Sequence, residues 1–164
     1  MQWIRLHGLI AGLLLALAAV AADQPAPVEP APDLEPRDVV EAQLAAFRHN
    51  DDPEPDAGIR IAFGFASPAN RQMTGPIDRF IAMIKQPGYD ILLHHQRSSL
   101  SDTTKKGDQA RIKVHLIDAK GAESAFVWIL SRQIEKPYEG CWMTDSVFRV
   151  DVGKSPFQVA WSRP

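Results

Sequence analysis

The sequence predicts an α+β fold: three N-terminal helices packed on a curved antiparallel sheet of about four strands. Three observations predict it. Apolar residues recur at helical spacing between Asp38 and Ile84. From Tyr89 onward the period falls to two. Proline and glycine pairs punctuate both halves, so helices come first and a meander follows, which segregates the helices to one face of the sheet.

The first helix is expected from Asp38, where Asp38 and Glu41 form a capping-box pattern and Val40, Leu44 and Phe47 make one apolar stripe. It ends near His49 and Asn50, before a loop broken by Pro53 and Pro55. A second short helix carries Ile59, Ala62, Phe63 and Ala66, weakened by Gly58 and Gly64 and stopped by Ser67-Pro68. Thr74-Gly75-Pro76 opens a third, with Ile77, Phe80, Ile81 and Ile84 on one face and Pro87-Gly88 at its end. Ile91–Leu100 reads as a first strand and Lys105-Lys106-Gly107-Asp108 as a turn. Ala110, Ile112, Val114 and Leu116 alternate along a half-buried strand. Ser124–Ser131 is apolar on both faces, a central strand, and Cys141–Val150 is the last.

The chain has 164 residues, enough for one ordinary domain. Its 18 basic and 20 acidic side chains give a net charge of −2, which carries no footprint for a nucleic-acid backbone. A single cysteine, Cys141, excludes an internal disulfide and a cysteine-based metal centre. Residues 1–22 combine Arg5, an uncharged apolar run from Leu9 and closing alanines, the layout of a secretory signal peptide too short for a membrane span. Cleavage takes Arg5 and no acid, leaving a charge of −3. The expected product is exported, periplasmic or extracellular, with no stable span. Residues 23–37 are a proline-rich spacer, 38–150 the domain and 151–164 a tail.

Val39–Phe47, Phe65–Arg71, Thr74–Ile84 and Gly140–Asp145 resemble the family called domain of unknown function 4864. Three short helices, a curved antiparallel sheet and a last strand entered by Gly-x-Trp resemble the nuclear-transport-factor-2-like, or cystatin-like, cone. The resemblance implies a fold and attaches no activity.

Chemistry-bearing residues are few. Asp52, Glu54 and Asp56 alternate as a calcium loop would, but Ala57 and Phe63 stand where the glycine and closing carboxylate belong, so a solvated acidic loop is expected. No metal or cofactor is expected. His94 and His95, as strand neighbours, point to opposite faces and share no metal. Asn70 and Arg71 sit between two helices, with Arg71 placed either to clamp an anion or to pair with a carboxylate. Phe126, Trp128, Trp142 and Phe148 either line an apolar cavity for a small hydrophobic ligand or fill the core. Asp145 is the one acid in an apolar stretch. It is the first choice for a base, with His94 or His95 as partner, if the protein is a small isomerase- or dehydratase-like enzyme. The sequence offers no other pair of titratable residues at catalytic spacing, so the favoured reading is a non-enzymatic ligand- or protein-binding module. Val127, Ile129, Met143 and Val147 are expected to form an outer apolar strip. A homodimer would pair through it, or the tail would cover it with Phe157, Val159 and Trp161.

Overall fold

The computed structural model describes residues 28–151. The expected signal segment, most of the spacer and the tail beyond Asp151 lie outside the described residues. Among the described residues, no helix is long and apolar enough to cross a membrane. The order is α1 (Pro36–Arg48), α2 (Ala57–Gly64), α3 (Pro68–Thr74), α4 (Ile77–Ile84), a 3-10 turn (Asp90–Leu92), then β1 (Arg97–Leu100), β2 (Thr104–Lys106), β3 (Gln109–Ile117), β4 (Glu123–Arg132) and β5 (Trp142–Val150). Helices precede an antiparallel sheet, as the change of period requires.

Strand β3 pairs with β4 and β4 with β5. β1 lies against Val114–Ile117 and β2 against Gln109–Arg111, so the two are halves of one interrupted edge strand. Four helices and five strands therefore stand where three and about four were expected. The sheet face toward the helices carries Ile112, Val114, Leu116, Phe126, Trp128 and Leu130. These pack with Val39, Val40, Leu44, Phe47, Ile59 and Phe65 in one core. Each such large apolar side chain, fully buried, contributes about 1.5–3 kcal/mol by removal from water.

Several boundaries differ from the expectation. Helix α1 starts at Pro36 rather than Asp38: Pro36 fills the first turn, where no N–H is needed, and the Glu35 N–H donates to Asp38 Oδ2 at 2.9 Å. The end of the proline stretch is docked, with Leu34 packed on the core and Pro32 against Gly140. Ser67-Pro68 opens a helix instead of only stopping one. The Ser67 hydroxyl accepts from the Asn70 N–H at 3.2 Å and Pro68 sits in the first turn, so Asn70 and Arg71 lie on α3 and not in a loop. Ile91 and Leu92 form the 3-10 turn, and the first strand begins only at Arg97. Lys105 and Lys106 belong to β2, and the turn narrows to Gly107-Asp108.

The largest difference is a β-bulge. Leu130 pairs with Thr144 and Ile129 with Ser146, which leaves Asp145 without a partner. The extra residue reverses the parity of the rest of β5. Trp142 and Val147 both face the core, and Phe148, opposite Val127, is turned outward and 38% exposed. The outer strip is therefore Val127, Ile129, Met143 and Phe148, not Val147, and Val127 and Met143 are fully buried within it.

Candidate functional site

A cavity of about 220 Å³ opens between the helices and β5. Phe47 on α1, Phe80, Met83 and Ile84 on α4, Leu92 on the 3-10 turn and Val147 on β5 supply apolar wall. Helical spacing places these side chains: Phe80, Met83 and Ile84 recur at i, i+3, i+4 on one stripe. Met73, 76% exposed, stands at the margin.

One end of the cavity is polar and built around Gln43. Its Oε1 accepts from the Trp128 indole N–H at 3.0 Å and from the Thr144 hydroxyl at 2.8 Å, and its Nε2 donates to the Ala62 carbonyl at 2.9 Å. Gln43 and Thr144 are buried to within a few per cent, so each of these bonds offsets a desolvation cost. Thr144 also ties the α2–α3 link to the sheet. Its N–H donates to the Phe65 carbonyl at 2.8 Å, and its carbonyl accepts from the Ser67 N–H at 2.9 Å and from Asn70 Nδ2 at 3.0 Å. Tyr89 closes another side, donating to the Val147 carbonyl at 3.1 Å.

Of the residues expected to bind a ligand, Asn70 lines this cavity. Phe126, Trp128 and Trp142 fill the core beside it, with Phe126 and Trp128 at zero exposure and Trp142 under the Lys105 ammonium. Arg71 is turned to another task. Nη1 donates to the Tyr138 hydroxyl at 2.8 Å, Nη2 donates to the Gly64 carbonyl at the end of α2, and the guanidinium stacks between the Phe63 and Tyr138 rings. Its Nε is buried without a partner. Arg71 thus latches α3 to α2 and to the β4–β5 loop, and among the described residues no carboxylate pairs with it.

The residues named for an enzyme are not brought together. Asp145 borders the cavity, but its Oδ1 accepts from the Ser131 hydroxyl at 2.9 Å, and Ser131 lies on the sheet face away from the helices. His94, at φ 54°, pairs with Asp51 at 3.1 Å on the surface. His95 is 2% exposed and borders a different groove, beside α1. Both histidines precede the sheet, so strand alternation does not govern them. Cys141 is a buried free thiol, and burial pushes its pKa up. Asp56 belongs to no ion site: it precedes α2 and meets Lys85 and the Asn50 amide. Among the described residues, no group of three or more potential ligands could hold a metal.

The family described as domain of unknown function (DUF4864) matches residues 31–155. The chain belongs to the DUF4864 family. The match spans every described helix and strand and the whole cavity wall. A SEC-C motif containing protein from Rhodopseudomonas palustris, known from a solution structure, is similar at 13% identity with a TM-score of 0.47, over 71% of this DUF4864 chain and 79% of that chain. No curated protein matches it.

Gln43, Thr144 and Tyr89 were not singled out from sequence. Gln43 alone left a signal. It interrupts the apolar stripe of α1 between Val39 and Phe47, where a polar side chain must find partners or lose them.

Proposed function

We propose that this DUF4864 chain is an exported, non-enzymatic domain of the nuclear-transport-factor-2-like class, and that it binds a small apolar ligand in the cavity between its helices and β5. The observation that carries the reading is the cavity itself: about 220 Å³, apolar along α1, α4 and β5, with a few fixed polar groups at one end. That combination suits a ligand with an aliphatic or aromatic body and one polar end. The polar groups are already hydrogen-bonded to one another, so they orient a ligand rather than react with it. Asp145 and the two histidines do not converge, which supports binding over proton transfer.

The experiment is a titration of the protein with n-octanol, followed through the methyl resonances of Met83, Ile84 and Leu92. Saturable shifts in these methyls are expected, and Val147→Phe, which fills the wall, abolishes them. Shifts scattered over the surface, or unchanged by Val147→Phe, would overturn the reading.

A further inference from the structure

A second site lies on the other side of α1. Glu41 and Arg48 lie two turns apart on one face of the helix and His49 follows at its C-terminal cap, and all three look across a groove of about 470 Å³ toward β1. On β1, Ser98 pairs with Leu116, a core residue, so its side chain faces the helix side. His95 borders the groove from the turn before β1.

The polar groups here are unequally partnered. Glu41 is the one acid on the groove, and it is paired with Arg37 at 2.9 Å. Among the described residues, the side chains of Arg48, His49 and Ser98 make neither a hydrogen bond nor an ion pair. Among the described residues, the Arg48 guanidinium therefore has no acidic partner, and the His49 imidazole stands beside it on the groove. His95 is held differently. Its Nδ1 lies 2.8 Å from the Leu92 carbonyl, which only accepts, so Nδ1 carries the proton and Nε2 is left as an acceptor. Burial, and then the charges of Arg48 and His49, keep the imidazole neutral by lowering its pKa. Arg48 and His49 line the same groove as the ring.

We propose that this groove binds a phosphate monoester of a small polyol, with the Arg48 guanidinium, the His49 ring N–H and the Ser98 hydroxyl taking the phosphate and Nε2 of His95 accepting a hydrogen bond from a ligand hydroxyl. A guanidinium, an imidazole N–H and a hydroxyl match a tetrahedral dianion with several acceptor oxygens. A buried neutral acceptor beside them selects a ligand that also brings a donor. This site is independent of the apolar cavity, and either can stand without the other.

The test is a titration of the isotope-labelled protein with glycerol phosphate, inorganic phosphate, glycerate and glycerol, read at the Arg48, His49 and Ser98 amides and at the His95 ring nitrogens. Glycerol phosphate is expected to bind most tightly and glycerol not at all. Its saturation should shift the His95 Nε2 resonance, whereas inorganic phosphate should leave that resonance in place. Arg48→Gln, at an exposed position, should weaken both phosphate ligands about tenfold or more, as loss of a charged hydrogen bond does. No saturable shift with glycerol phosphate, equal binding by glycerate, or unchanged binding by Arg48→Gln would overturn the proposal. A motionless His95 Nε2 resonance at saturation would overturn its role in selecting the polyol.

Discussion

Gln43 joins α1 to α2, to the centre of the sheet and to the bulged strand through three bonds at a buried point. Trp128 and Thr144 each rely on its Oε1, so removing the amide strands two buried donors at once. Gln43→Leu keeps the bulk and removes the acceptor. It should cost about 2–4 kcal/mol, the desolvation of two unsatisfied donors. Denaturant unfolding of Gln43→Leu and of the double variant Gln43→Leu/Thr144→Val measures it. The double variant should recover part of the loss, because one stranded donor is gone. Additive losses would mean that the hydroxyl gains nothing from Gln43. Arg71 is the contrasting case. Its residue type was legible as a charged side chain among helices, but its partners were not: Tyr138 lies 67 residues away, and the bond to the Gly64 carbonyl depends on how α3 folds back on the end of α2.

At the scale of elements, the two glycines of α2 look alike in sequence and differ in the fold. A Cβ on Gly58 would stand 2.0 Å from the Ala46 carbonyl oxygen of α1, whereas one on Gly64 would meet nothing within 4 Å. Gly58 therefore permits the close crossing of α1 and α2, and Gly64 only lowers helix propensity. Gly58→Ala should destabilise the protein by about 3 kcal/mol through overpacking against backbone. Gly64→Ala should stabilise it by up to about 1 kcal/mol. Thermal unfolding of the two variants, moving in opposite directions, checks both. Reading Gly58 as a mere weakness of the helix misses this, because helix-to-helix distance leaves no mark in a single sequence. Strands β3, β4 and β5 were legible because alternation and turn residues are local. Helix α3 was not, because Ser67-Pro68 serves equally to stop one helix and to cap the next. The reversal of β5 was hidden for a similar reason. The bulge at Asp145 is set by the pairing of β4 with β5 and by the bonds Thr144 makes to Phe65 and Ser67, none of which is local to Asp145.

For the whole molecule, two groups tie global stability to pH in the same direction. His95 is buried beside Arg48 and His49, with only the Leu92 carbonyl favouring its charged form, and its pKa lies below the ordinary 6.5. Asp56 meets the Lys85 ammonium at 2.7 Å, and that hydrogen bond, ahead of those from Asn50, holds its pKa below the ordinary 3.8. For His95, both states are neutral above pH 6.5. As pH falls below that value the unfolded chain takes up a proton that the folded chain refuses, so stability declines until the folded pKa is reached. For Asp56, the stabilisation is complete above pH 3.8 and is lost as pH falls through the lower folded value. Acidification should therefore weaken the fold in two separate windows. Urea unfolding as a function of pH tests this with two variants. His95→Asn should flatten the decline that begins near pH 6.5. Lys85→Gln should leave that decline in place, reduce stability at neutral pH, and lose its difference from the parent protein as pH falls below 3.8. A Lys85→Gln deficit that persists in strong acid would mean that the lysine acts through packing of its aliphatic stem and not through the charge of Asp56. An unchanged slope in His95→Asn would place the upper window on another histidine, and would mean that the His95 ring takes up a proton in the folded state as readily as in the unfolded one.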